Sequence, residues 1–421
     1  MLRQYITFLS CAIIAIASVA QTTTINRNDI LISLLGEMPK REPLKTDTLE
    51  YTALDGGNRY KIRYFIEAGN PALDTPDDWG YAYLFVPTLT KGEKAPAVVA
   101  MHQDDIYYHI GKSEPAGLTG DSTMQYGKEL FERGYIVICP DRFYHADRSK
   151  ACQDWGDISE NDYERDFFTQ QKRVGVLFAE GRNAWGKEAY DFSRAVDVLV
   201  SMPEVDADNI GAIGHSAGAN ALSYCLFYDS RVKAAVANCG TSEINSYYNY
   251  NRPGTMPSSL ALPGSIKFGI DTHDYVAAIA PRALFISEGA HQWGDGQPDP
   301  SDERFAAELE IFKDNYMKNA GTDIEVLLFE ENGGRHCFPA GVKERAYLWL
   351  DKHLKKDKNV LVVADGAAFG SEVEKIELYA RQNNNCYLYL PESFEWLILK
   401  SGVIKNADLS AILQNTSVSY T

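Results

Sequence analysis

The sequence predicts an α/β fold with a mostly parallel, doubly wound sheet, and three observations predict it. Apolar strand-like runs alternate with helical stretches along the middle of the chain. The earliest strand-like runs follow one another without a helix between them. A second, short α/β pattern follows a lysine-rich stretch near the C-terminus. Because strands that alternate with helices form parallel sheets with right-handed crossovers, we expect a parallel sheet with an antiparallel N-terminal edge, plus a small C-terminal α/β segment.

The period of the apolar residues locates the individual elements. The expected strands are Tyr60–Phe65, Tyr81–Val86, Ala95–Met101, Tyr135–Cys139, Ile210–Ile213, Lys233–Cys239, Ala283–Ser287 and Ile324–Phe329. The expected helices are Thr123–Arg133, Lys187–Val200, Ala219–Phe227, Asp302–Lys318 and Ala340–Leu354. With 421 residues, of which 45% are hydrophobic, the chain can bury one large core and still carry an appendage.

The first twenty residues have the pattern of a signal peptide. Arg3 precedes the apolar run Phe8–Ala17, and small residues lead to a cleavage position after Ala20. The apolar run is short for a bilayer span, and no stop-transfer pattern follows it. We therefore expect residues 1–20 to be removed and the protein to be exported, to the periplasm or the outside of the cell, without a membrane span.

Composition divides the rest of the chain into two parts. Residues 21–357 are the expected catalytic domain, which ends in the lysine-rich stretch Lys352–Lys358. Residues 358–421 read as a small α/β appendage, truncated or fused, with a helix at Glu372–Arg381 and a strand at Cys386–Leu390.

The net charge of the chain and the spacing of its histidines limit the classes of ligand that it can be expected to bind. A formal net charge of -17 argues against nucleic acid, which needs a basic surface. The histidines are scattered without the paired spacing of metal ligands, and no glycine-rich phosphate cradle precedes a helix in the main domain. We expect neither a metal nor a cofactor. The sequence does not indicate an oligomeric state.

One serine has the surroundings of a nucleophile. Gly214-His215-Ser216-Ala217-Gly218 lies between an apolar strand and a helix-like stretch. Glycines on both sides relieve the crowding of a sharp strand-to-helix turn, and the turn exposes the serine at the helix N-terminus. We expect Ser216 to be the nucleophile of a serine hydrolase.

A serine hydroxyl needs a base to take its proton, and His336 is the expected base. It lies in the loop after the last core strand and directly before a helix, where folds with such an elbow carry the histidine. His353 lies on a helix with a solvated face, and His273 precedes two of the core strands.

The third member of a triad, an acid, has no obvious candidate. An aspartate is expected a few residues after the strand Ala283–Ser287, but His291 or Gln292 occupies that position. Three carboxylates could replace it. Glu243, after the preceding strand, is the first choice, followed by Asp295 in the expected loop and Glu288 at the strand end. A missing acid is the remaining alternative.

The oxyanion hole should combine two backbone N–H groups, one from Ala217 and one from the loop after Ala95–Met101. In that loop we nominate the amide of Gln103. We expect His102 to order the loop by hydrogen bonding rather than to take part in the chemistry.

These motifs resemble the α/β-hydrolases of the dienelactone-hydrolase-like and acetyl-xylan-esterase-like groups. The resembling segments, within roughly residues 50–355, are His102-Gln103, Gly111–Leu118, Glu132–Tyr135 with Pro140-Asp141, Glu180–Gly186, Arg194–Asp197, Pro203–Asp206, Pro281-Arg282 and Arg345–Leu350. Trp185-Gly186 and Arg194–Asp197 also resemble glucuronoyl esterases, some of which place the acid after the preceding strand, as Glu243 would be. The Arg and Lys that typically follow their nucleophile are Ala217 and Asn220 here, which argues against glucuronate recognition.

The resemblance implies an exported serine esterase that acts through an acyl-enzyme, on a small-molecule or polysaccharide ester such as acylated plant carbohydrate. Two alternatives stay open. One is a serine peptidase of a related fold, although no blade-length repeat of a propeller gate is visible. The other is a catalytically silent binding protein, which the unusual residue at the acid position would permit.

Overall fold

The computed structural model of the chain describes residues 26–73, 75–104, 109–151, 173–249, 261–292, 296, 298 and 302–355, together with four strands near the C-terminus. The strands of the main sheet are β1 Thr46–Leu54, β2 Gly57–Glu67, β3 Asp78–Pro87, β4 Ala95–Met101, β5 Ile136–Pro140, β6 Val205–His215, β7 Val232–Asn238, β8 Ala283–Gly289 and β9 Ile324–Phe329. The helices are α1 Arg27–Leu34, α2 Tyr126–Glu132, α3 Ala146–Ala151, α4 Ala184–Ser201, α5 Ala217–Tyr228, α6 Ile244–Asn249, α7 Ser265–Phe268, α8 Thr272–Ile279, α9 Asp302–Lys318 and α10 Ala340–Leu354.

Nine strands form one mixed sheet in the order β1-β2-β3-β5-β4-β6-β7-β8-β9. Strands β1, β2 and β3 pair antiparallel, and β3 is also antiparallel to β5. From β5 to β9 every pairing is parallel. The predicted parallel sheet with an antiparallel N-terminal edge is therefore confirmed.

The prediction missed the outermost strand, β1. Six successive residues from Thr46 to Tyr51 are exposed, so the strand carries little of the apolar pattern that marks a buried one. The predicted helix Thr123–Arg133 is in fact two pieces, a 3-10 turn at Ser122–Met124 and α2.

Helices cover both faces of the sheet. Alternate residues of β4 point to opposite sides, with Ala97 and Val99 in one apolar cluster and Val98 and Ala100 in the other. The first cluster includes residues of α4, α5, α8 and α9, and the second includes residues of α2 and α10. This is the doubly wound arrangement, and it leaves the carboxyl ends of the parallel strands together at one edge, where ligands bind in open α/β sheets.

The four C-terminal strands form a separate small sheet. They are β10 Val360–Ala364, β11 Cys386–Leu390, β12 Glu395–Leu399 and β13 Val418–Tyr420, in the order β12-β11-β10-β13. Strands β10 and β11 are parallel, whereas β12 and β13 pair antiparallel with their neighbours. The expected helix Glu372–Arg381 lies outside the described residues, and the domain boundaries stay predictions.

Over the residues that the structure describes, no helix is both long enough and apolar enough to cross a bilayer.

Candidate active site

Ser216 lies on a strained turn between β6 and α5. Its backbone has φ 54° and ψ -124°, outside the regions that side-chain-bearing residues prefer. A Cβ atom on Gly218 would lie 2.5 Å from the carbonyl oxygen of Met101, so only glycine fits there. The Ser216 N–H donates to the carbonyl of Asn238 at 2.9 Å, which ties the turn to β7. The predicted elbow thus has its glycines where close backbone approach requires them.

His336 lies within hydrogen-bonding distance of the serine. Ser216 Oγ donates to His336 Nε2 at 2.8 Å, and a turn at Glu331–Gly334 after β9 brings the histidine to this position. Burial lowers the pKa of His336 to about 4. The imidazole is therefore neutral at neutral pH, which is the form that can accept the serine proton.

The other nitrogen of His336 contacts the amide of Gln292. Its Nδ1 lies 3.0 Å from Oε1 of Gln292, whose Nε2 in turn donates to Oε2 of Glu288 at 2.7 Å. The opposite oxygen of Glu288 accepts backbone N–H groups from Gly240 at 3.1 Å and Thr241 at 2.9 Å. The described atoms therefore connect Ser216 to a buried carboxylate through a histidine and a glutamine.

The first choice of acid, Glu243, contacts a different histidine in this structure. Its Oε1 lies 2.9 Å from Nδ1 of His273, not beside His336. Helix α6 begins at the next residue, and Asp271 accepts the N–H groups of Ile244 and Asn245. This contact fixes the start of α6 against the N-terminal end of α8, where His273 lies, and Glu243 lies beside His273 there.

The structure describes only one of the two other candidate acids, Glu288. Asp295 lies outside the described residues, so its place in the site stays a prediction. Glu288 is near the site, but Gln292 stands between it and His336. Gln292 is one of the two residues at the position where the sequence predicts an acid. Its amide carries no charge, so the residue type does not mark it as a partner of His336.

We expect Glu243→Gln to change kcat/KM for an ester substrate by less than about tenfold. An amide oxygen at position 243 can still accept from His273, and the contact between Gln292 and His336 is not affected. Initial rates on p-nitrophenyl acetate measure the effect. A loss of about a thousandfold in a variant that unfolds at the wild-type temperature would show instead that Glu243 reaches His336 during turnover.

The loop of the expected oxyanion hole is held by His102, as predicted. Its Nδ1 donates to the carbonyl of Gln103 at 2.6 Å, and its Nε2 accepts from the N–H of Arg142 at 2.9 Å. The Gln103 side chain donates to Glu114 at 3.0 Å, which anchors the loop a second time. Ala217 is the first residue of α5, and its N–H has no carbonyl one turn earlier within the helix. The roles of the Gln103 and Ala217 amides stay predictions.

Among the described residues, one group of three carboxylates has the spacing of metal ligands: Glu67, Asp78 and Asp191. The ammonium nitrogen of Lys187 lies 2.7, 2.5 and 2.6 Å from their respective oxygens. Arg148 also pairs with Asp78 and Asp191, and Arg182 pairs with Glu67. Three side-chain cations therefore balance the three carboxylates, so the arrangement is an ion-pair network and gives no reason to place a metal there.

Comparisons with known proteins agree with the fold. The model of the prolyl oligopeptidase family matches residues 171–256, which include the elbow. A protein of Bacillus subtilis (strain 168) named as the hydrolase YtaP is 28% identical over 214 residues, which are 51% of this chain and 63% of the relative. The chain thus matches less than two thirds of that protein's length.

Two solved structures are similar over most of the chain. One, from Bacteroides fragilis NCTC 9343 and assigned as an acetyl xylan esterase, is 13% identical with a TM-score of 0.53, over 78% of this chain and 83% of that one. The other, a glucuronoyl esterase from Solibacter usitatus, is 16% identical with a TM-score of 0.51, over 79% and 93%. The chain therefore has the α/β-hydrolase fold, and its resemblance to this superfamily is confirmed.

Proposed function

We propose that the protein is a serine hydrolase that cleaves carboxylic esters through an acyl-enzyme. The observation that carries the proposal is the 2.8 Å hydrogen bond from Ser216 Oγ, on a strained elbow, to a partly buried, neutral His336. A hydroxyl paired with a neutral imidazole is an activated nucleophile, and the strained turn exposes it at a helix N-terminus.

The expected reaction has two halves. Ser216 Oγ attacks the ester carbonyl while His336 Nε2 takes its proton, and the Gln103 and Ala217 amides stabilise the oxyanion. His336 then returns the proton to the leaving alcohol, which departs from the acyl-enzyme. In the second half His336 takes a proton from water, whose oxygen attacks the acyl carbon, and returns it to Ser216 as the acid leaves.

The proposed substrate class is acylated carbohydrate, and the proposed location is outside the cytoplasm. The substrate rests on the names of the two structural relatives, one assigned as an acetyl xylan esterase and one a glucuronoyl esterase. Because likeness at this identity concerns the fold, the substrate has to be tested directly. Export rests on the signal-peptide pattern of residues 1–20.

A substrate panel tests the proposal, with residues 21–421 as the enzyme. We expect hydrolysis of p-nitrophenyl acetate and release of acetate from acetylated xylan, with both activities lost in Ser216→Ala. A chromogenic glycyl-prolyl amide tests the second candidate, a serine peptidase, which the match to the prolyl oligopeptidase family favours. If the protein cleaved the amide and none of the esters, the peptidase would replace the esterase as the proposed function. A wild type no faster than Ser216→Ala on every substrate would favour the catalytically silent binding protein.

A further inference from the structure

We propose that Glu288 sets the direction of the hydrogen bonds that reach His336, and that Gln292 is the positioning residue that transmits this direction. The inference rests on the proposed function, since the direction matters for catalysis only if His336 is the base. The Gln292 amide lies between the two residues, with Oε1 3.0 Å from His336 Nδ1 and Nε2 2.7 Å from Glu288 Oε2.

An amide can face His336 in two ways. With its oxygen toward the ring it accepts a proton from Nδ1, and with its NH2 toward the ring it donates to Nδ1. Only the first leaves the lone pair of Nε2 free to take the proton of Ser216. An ionised carboxylate is acceptor-only, so Glu288 forces the NH2 of Gln292 toward itself and the oxygen toward the histidine.

Glu288 is held so that it can perform this role. The residue is 1% exposed, and its second oxygen accepts the N–H groups of Gly240 and Thr241. Burial raises the pKa of Glu288 to about 8, and nearby Glu308 adds to the rise, although the three donors oppose it. Among the residues that the structure describes, the other titratable neighbours are Cys239 and, through Gln292, His336. Above pH 8 the ionised carboxylate of Glu288 predominates, so the experiments are carried out at about pH 9.

Glu288→Gln should reverse the direction. The new amide must keep its oxygen toward the two backbone N–H groups, because its NH2 there would face two donors. Its NH2 then faces Gln292, whose own amide has to turn over to accept from it. The NH2 of Gln292 would point at His336 Nδ1, and the ring would carry its proton on Nε2, where it cannot accept from Ser216.

The double variant Glu288→Gln with Gln292→Glu should restore the direction. A carboxylate at position 292 accepts both from the new amide at position 288 and from His336 Nδ1. The amide oxygen at position 288 still accepts from Gly240 and Thr241, so every group retains a partner. Exchanging the two side chains also preserves their combined volume, which makes the double variant a matched control for packing.

Nitrogen-15 NMR of His336 in residues 21–421 tests the inference, with its signals assigned by their loss in His336→Gln. At about pH 9 we expect the proton on Nδ1 in the wild type, on Nε2 in Glu288→Gln, and on Nδ1 again in the double variant. In parallel, kcat for p-nitrophenyl acetate should fall on the order of a thousandfold in Glu288→Gln and return to within about tenfold in the double variant.

An unchanged proton position in a folded Glu288→Gln variant would overturn the inference, and so would a double variant that keeps its proton on Nε2. If the single variant does not fold, the double variant alone decides, since an Nδ1 proton and near wild-type kcat support the inference. If the proton position reverses and returns while no variant, nor the wild type, hydrolyses an ester, the proposed function fails and the hydrogen-bond direction stands.

Discussion

Ser216→Ala is expected to lower kcat for p-nitrophenyl acetate by roughly four to six orders of magnitude. Without Oγ no acyl-enzyme can form, and what remains is water attack assisted by the oxyanion hole and substrate binding. Alanine can adopt the same backbone as serine at this turn, and the N–H bond to Asn238 involves no side-chain atom of residue 216. The midpoint of thermal unfolding should therefore stay close to that of the wild type.

Ser201→Ala is the matched control. Ser201 is the last residue of α4 and donates to the carbonyl of Val198 at 2.7 Å. It precedes the start of β6, whereas the elbow follows the end of that strand. Its kcat should equal that of the wild type within about twofold. A Ser216→Ala protein that retains more than about a tenth of wild-type kcat would show that another nucleophile carries the reaction.

Lys187→Met is expected to lower the free energy of unfolding by about 3–5 kcal/mol. Burial by itself lowers the pKa of Lys187, but the attraction of Asp191, Asp78 and Glu67 outweighs it and raises that pKa. Methionine fills a similar volume but leaves three buried carboxylates without their shared cation. Arg148 still pairs with Asp78 and Asp191, and Arg182 still pairs with Glu67. Two cations then face three carboxylates, so the cost of one uncompensated charge adds to the lost ion pairs.

Urea unfolding of Lys187→Met and of Lys128→Met measures the difference. Lys128 lies 3.5 Å from Glu132 on an exposed helix surface, where such a pair contributes less than about 1 kcal/mol. The deficit of Lys187→Met should shrink as the pH falls, because the carboxylates left behind take up protons when their charge is no longer compensated. A deficit below about 1 kcal/mol at neutral pH would contradict a structural role for this network.

The sequence predicted the eight strands β2 to β9 because each carries an apolar run. These runs are largely buried except in β9, which is the second edge strand of the sheet. The prediction missed β1 because its residues are mostly exposed. It missed α8 because that helix is marked by a capping box, in which Asp271 and Asp274 bond reciprocally to backbone N–H groups, rather than by a long apolar period. A capping box of this kind can be recognised in the sequence only when the start of the helix is already known.

The contact between Ser216 and His336 could be predicted because each follows a strand end, and parallel strands bring those ends together. The acid could not. Its position depends on how the chain turns after β7 and β8, which separates Glu243 from His336 and inserts Gln292 before Glu288. A search for carboxylates cannot find an amide that joins a histidine to a carboxylate, because such a role depends on contacts between loops rather than on residue type.

Trapping the acyl-enzyme tests the central claim most directly. A protein of residues 21–421 is mixed with excess p-nitrophenyl acetate, quenched in acid within the first turnover, digested and analysed by mass spectrometry. The account predicts a burst of about one p-nitrophenol per protein where deacylation is slower than acylation, with one acetyl group on the peptide that contains Ser216. Acetate on another residue, with the Ser216 peptide unmodified while the ester is turned over, would contradict the account.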